Sequence, residues 1–157
     1  MTEVAMHRKI AFAGVGEAVL SKTAVPSALD LAVEASQAAL ADAGLTPLDV
    51  DGVLTASPAG DPHFMFSTLL VEALGVPARI NTALQSAGAS PCIALLYAAR
   101  AIMSGACHTV LVCESSPAGL TATCVGEPPA GPVGTVVSAR LVLVSITVSE
   151  SLPLLTT

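Results

Sequence analysis

The chain is poor in charge, and above all in positive charge. Of its 157 residues only 6 are Lys or Arg, against 12 Asp or Glu, and charged residues make up 11% of the whole. With a formal net charge of -6 and no Lys/Arg cluster, nothing here would neutralise a run of phosphates, so a nucleic-acid partner is not expected. Aromatic residues are scarce as well, at 3% with no Trp, so the 53% hydrophobic content comes mainly from Ala, Val and Leu. Such a composition predicts small-residue packing between helices and a covered sheet, and a face normally hidden by a partner. The cysteines Cys92, Cys107, Cys113 and Cys124 contain no CxxC pair, and His7, His63 and His108 are scattered. No metal site is expected from that pattern, and the thiols read as free and buried.

Long clean apolar runs are also missing. The uncharged run from Ile80 to Ala99 carries Asn81, Gln85, Ser86, Gly88, Ser90 and Pro91 in its first half, which argues against a membrane span. At the N-terminus His7, Arg8 and Lys9 precede an apolar run that Gly14, Gly16 and Glu17 interrupt, too short for a signal sequence, so a cytoplasmic protein is expected. Gly14-Val15-Gly16 does not extend to a dinucleotide-binding loop, because the third glycine would fall at Val19.

What is present alternates strands with helices. Lys9 to Val15 reads as a buried first strand. Ser27 to Ala43 is the clearest helix, capped by Ser27 with Asp30 and ended by Gly44, with Leu29, Val33, Ser36 and Leu40 on one face. Val50 to Ala56 predicts a second strand, and the neighbouring Asp49 and Asp51 read as a solvated turn. After a Pro/Gly loop, Phe64 to Leu74 predicts a short helix ended by Gly75, with His63 as a solvent-facing loop residue at its start. Arg79 to Ala87 predicts a third strand, Pro91 to Ser104 a helix, and Thr109 to Cys113 a strand of the kind buried in a parallel sheet. The order βαβαβαβ implies an α/β fold, a layered sheet with helices on both faces. Beyond Pro117 the texture changes to a Pro/Gly loop and a β-branched run, Val136 to Val148. The expected division is a domain over 8–116 and an atypical tail over 117–157, a strand pair that reads as a truncated or altered end.

The stretch from Gln85 to Glu114 is the one that chemistry would use. Gly88, Ala89, Ser90 and Pro91 are small or helix-starting residues, so the chain can turn sharply there and present N-H groups at the start of a helix. Such a start favours anions and developing negative charge, and in open α/β sheets it lies on the ligand edge.

Three stretches together, IAFAGVGEAVLSK, LDLAVEASQAALADAGLTPLDVDGVL and AGASPCIALLYAARAIMSGACHTVLVCES, resemble the N-terminal half of the thiolase superfamily. The resemblance covers about Arg8 to Ser116 and leans towards the sterol-carrier-type lipid-transfer thiolases and the thiolase-like aldolases. It implies two similar halves stacked in αβαβα layers, a mixed sheet in each, and a dimer formed through the strand at 79–86. It also implies a cysteine nucleophile, acylated by a coenzyme A thioester, at the turn into the helix. In this chain that turn holds Gly88, Ala89, Ser90 and Pro91, and Gly88 stands at the nucleophile's place. Glycine has no side chain, so covalent catalysis from that position is ruled out. Cys92, one helical turn on, is the reserve candidate for the nucleophile, with a small core cysteine as the plainer reading. Gly88, Ala89 and Ser90 are the expected substrate-binding positions.

The functional expectation is a thiolase-like acyl-CoA protein of lipid or sterol metabolism, lacking the cysteine and incomplete as a single chain. The partners implied are an acyl-CoA or sterol-CoA thioester and a second copy or partner chain; no cofactor is expected to be resident. The alternatives are a non-catalytic thiolase-half module acting through a partner and a subunit of a thiolase-like retro-aldol lyase, which needs no acyl-enzyme.

Overall fold

The computed structural model describes residues 10–18, 26–58 and 61–115. The expected strand pair at 136–148, and the domain boundary before it, lie outside the described residues. Helix α1 (Ala28–Ala43) starts as its sequence dictates. Ser27 Oγ accepts the Asp30 N-H at 3.1 Å, and the Asp30 carboxylate accepts the Ser27 N-H at 3.1 Å and the Ser27 hydroxyl at 2.7 Å. These reciprocal bonds satisfy N-H groups that have no partner inside the helix, and the hydroxyl's bond first of all holds the Asp30 carboxyl below its ordinary range. Gly44 ends the helix at φ 67°, the left-handed conformation that glycine adopts without a Cβ clash.

The helix buries a different stripe from the one its larger side chains suggest. Ala28, Leu31, Ala32, Ala35, Ser36, Ala39 and Leu40 are buried, whereas Leu29 and Val33 are only partly so. The reason is close approach. A Cβ added at Gly14 or Gly16 would land on the backbone of Ala39, so the N-terminal segment lies directly against an alanine-lined face. That packing also corrects the expected first strand: residues 10–18 form no strand, and the Val15 N-H bonds at 2.9 Å to the Asp42 carboxylate instead of to a neighbouring strand.

Three parallel strands follow, β1 (Gly52–Thr55), β2 (Ile80–Ala83) and β3 (Val110–Cys113), in spatial order β2-β1-β3. Gly52 pairs with Ile80 on one side and Val110 on the other, and Thr55 with Ala83 and Cys113. Both pairings among the described residues are parallel. Successive side chains point to opposite faces, so Val53, Leu111 and Cys113 join one core with α1 and with α2 (Phe66–Leu74). Leu54, Val110 and Val112 join a second core with α3 (Ser90–Met103). Helices on both faces of a parallel sheet, as expected, leave β1 and β3 buried along their whole length and β2 as a half-exposed edge.

The strand starts are tied by a residue whose role the sequence reading misjudged. Asp51 is not a solvated turn residue. Its carboxylate accepts the N-H groups of His108 and Thr109, both at 2.9 Å, and lies 2.9 Å from His108 Nδ1 and 4.0 Å from the Arg79 guanidinium. One side chain thus joins the segments leading into all three strands. Asp49, by contrast, caps a 3₁₀ turn at Pro47–Asp49 through Thr46. No helix among the described residues is long and apolar enough to cross a membrane.

Candidate functional site

The site is assembled at the carboxyl ends of the strands, where β2 turns into α3. Leaving β2, the Leu84 N-H bonds to the Thr55 carbonyl at 2.7 Å and Gln85 Oε1 accepts the Ser57 N-H at 3.1 Å, so the exits of β1 and β2 stay together. A 3₁₀ turn, Ala87–Ala89, then leads directly into α3, with Pro91 in its first turn where a missing N-H costs nothing. Gly88 is exposed, and a Cβ added to it would have nothing within 4 Å. Position 88 is therefore roomy as well as bare: a side chain would fit there, and the sequence supplies none.

Each expected site residue can now be placed. Ala89 is exposed beside Gly88. Ser90 is buried, and its hydroxyl accepts the Ser86 N-H and donates to the Ala87 carbonyl, both at 2.8 Å. Cys92 is exposed, which corrects its plainer reading as a core cysteine. Cys107 and Cys113 are buried, as expected of structural thiols, and Cys124 lies outside the described residues. His63 is exposed and accepts the Met65 N-H through Nδ1 at 3.1 Å, a local turn contact.

Burial pushes the Cys113 thiol up to about 12, and burial together with the Asp51 charge pushes Cys107 up. In the native chain, iodoacetamide is expected to label Cys92 readily. Cys113, buried and with its thiol pushed up to about 12 by that burial, should react far more slowly. Peptide mapping after a short pulse checks this, and native labelling of Cys113 at a rate like that of Cys92 would contradict it.

Sequence reasoning missed Glu114. It follows β3 on the same edge, its Oε1 is buried without a hydrogen-bond partner among the described residues, and burial raises its carboxyl above the usual range. A signal was available: Glu114 is the only formal charge between Arg100 and Glu127. Among the described residues no group of three or more His, Cys, Asp or Glu could hold a metal ion.

No family model matches the chain. A steroid side-chain-cleaving aldolase of Thermomonospora curvata is 37% identical over 103 residues, which cover 64% of this chain and 25% of the aldolase. Of solved structures, the Ltp2-ChsH2(DUF35) aldolase matches with a TM-score of 0.57 at 31% identity, over 67% of this chain and 27% of that one. An acetyl-CoA acetyltransferase from Syntrophomonas wolfei matches with a TM-score of 0.58 at 25% identity, over 66% of this chain and 27% of the other. The chain is thiolase-like. It spans about a quarter of the length of the curated relatives it matches. The matched fold agrees with the layered α/β reading.

Proposed function

We propose that this chain is a nucleophile-free, thiolase-like aldolase component that acts on an acyl-CoA or sterol-CoA thioester together with a partner chain. The observation that carries the reading is Gly88, a glycine with open space around it, at the start of a long helix on the ligand edge of a parallel sheet. A retro-aldol cleavage needs no acyl-enzyme. The helix start would then orient or polarise a thioester or carbonyl oxygen, with Gly88 and Ala89 offering backbone and Cys92 no more than a bystander. Two similarities point to the aldolase branch: the steroid side-chain-cleaving aldolase and a second aldolase whose name joins two components, Ltp2 and ChsH2(DUF35).

A need for a partner is supported by the outer face of α3. Ile93, Leu96, Tyr97 and Met103 recur at helical spacing and are all exposed, on the face turned away from the sheet. The edge strand β2 is the place proposed for pairing with a second copy, since it has a free side in the described sheet.

Incubated with an acyl-CoA, the intact chain is expected to show no covalent adduct by mass spectrometry; an acyl mass shift mapped to Cys92 would reinstate acyl transfer. Light scattering and calorimetry on the same sample address the second reading, a non-catalytic module. A clean monomer that binds no acyl-CoA would favour that module over the aldolase.

A further inference from the structure

Ser90 sits beneath the Gly88 turn, and its hydroxyl is already occupied. It accepts the Ser86 N-H and donates to the Ala87 carbonyl, both at 2.8 Å, so it braces the two sides of one peptide step from a buried position. The residue it braces is unusual. Ala87 has φ 48°, the one non-glycine with positive φ among the described residues. For alanine that conformation is unfavourable, because Cβ is driven towards the following carbonyl oxygen, and it persists only where the surroundings hold it. The Ala89 N-H to the Ser86 carbonyl at 3.1 Å closes the turn on the other side, and the Ser90 N-H returns to the Ala87 carbonyl.

We propose that Ser90 is the positioning residue of this edge: its hydroxyl holds Ala87 in the left-handed conformation and so sets the direction in which the Gly88 backbone meets a ligand, without touching the ligand itself. This replaces the substrate-binding role that the sequence alone assigns to Ser90. It rests on the reading of the Gly88 turn as the reacting edge. Two consequences follow from the geometry. Threonine at 90 keeps the hydroxyl and should keep the turn, whereas alanine should release it. Glycine at 87 adopts positive φ without penalty, so it should restore a turn that Ser90→Ala has loosened.

A thiol introduced by Gly88→Cys reports on the turn directly, since nothing lies within 4 Å of the position it enters. Its alkylation by iodoacetamide, mapped by peptide mass on the full chain from pH 5.5 to 9.5, is expected to have a midpoint below the ordinary thiol value of about 8.5, because a helix start stabilises a thiolate. Adding Ser90→Ala should move that midpoint up by about one unit, tenfold in thiolate fraction, and adding Ala87→Gly as well should bring it back. Ser90→Thr should leave it low. Urea unfolding of each variant separates a folded chain with a changed profile from a chain that has lost its structure, and the threonine and glycine variants keep the comparison open if Ser90→Ala does not fold. A low midpoint that Ser90→Ala does not move would overturn the role of Ser90 and leave the edge reading intact. An ordinary midpoint in Gly88→Cys alone would overturn both.

Discussion

Replacing Asp51 by alanine is expected to lower the unfolding free energy by about 2–4 kcal/mol, the cost of removing a charged acceptor from several donors at once. The carboxylate takes two backbone N-H groups at the start of β3 and stands beside Arg79 at the start of β2, while its own residue leads into β1. Without it the N-H groups of His108 and Thr109 lose the acceptor they bond, at a point where the starts of three strands meet. The side-chain partners matter much less. Arg79 is exposed and 4.0 Å away, and His108 is exposed too, so Arg79→Ala and His108→Gln should each cost under about 1 kcal/mol. Burial raises the Asp51 carboxyl, but the bonds from Thr109 and His108 outweigh it and hold the group below its ordinary range. A carboxyl depressed in the folded state contributes stability that is present above its unfolded value of about 3.9 and is lost as pH falls through the folded value. Urea midpoints at pH 7 and at about pH 2.5 should therefore differ more for the natural chain than for Asp51→Ala. Equal stability of the two at pH 7 would remove Asp51 from its place in the sheet.

Leu54→Ala is the second large effect, at about 2–5 kcal/mol. Leu54 is fully buried on the central strand and is the contribution of β1 to the core shared with Ala94, Ala98 and Ile102 of α3 and with Val110 and Val112 of β3. All five of those neighbours are small or β-branched and cannot collapse far into the space a leucine leaves. The loss falls on the attachment of α3, so the turn at Gly88 should loosen with it. A drop in the urea midpoint with an unchanged slope is the expected record. A change below about 0.5 kcal/mol would mean that α3 is not seated on β1 as described.

Helix ends were the most legible part of the sequence. Ser27 with Asp30, and Gly44 and Gly75 at left-handed φ, act through bonds within a few residues of themselves, so reading them needs no knowledge of the fold. The buried face of α1 was read only in part, Ser36 and Leu40 being buried and Leu29 and Val33 only partly so, because an alanine-rich helix has almost no contrast between its sides. Leu29 and Val33 look like the core positions, yet glycines at 14 and 16 bring a segment so close that only alanine fits beneath it. The same contact took the first apolar run out of the sheet. The site followed the same division. A strand, a small-residue turn and a long helix marked the turn at Gly88 as the candidate, but the sequence could not tell that Ser90 is buried while Cys92 is exposed.

By itself, then, the sequence determined where α1 begins and ends, where α2 ends though not that it begins at Phe66 rather than Phe64, that β3 would be buried on both sides, and that position 88 offers no side chain. These depend on the local backbone, on the length of an apolar run, or on the absence of a side chain. Only the tertiary structure decided that the described sheet runs β2-β1-β3, that Asp51 reaches residues 57 and 58 positions away, and that Glu114, just past β3, keeps a buried oxygen with no partner among the described residues. Each of these is a meeting of segments distant in the chain, and what a carboxylate does is set by the donors and the water that the fold leaves within its reach.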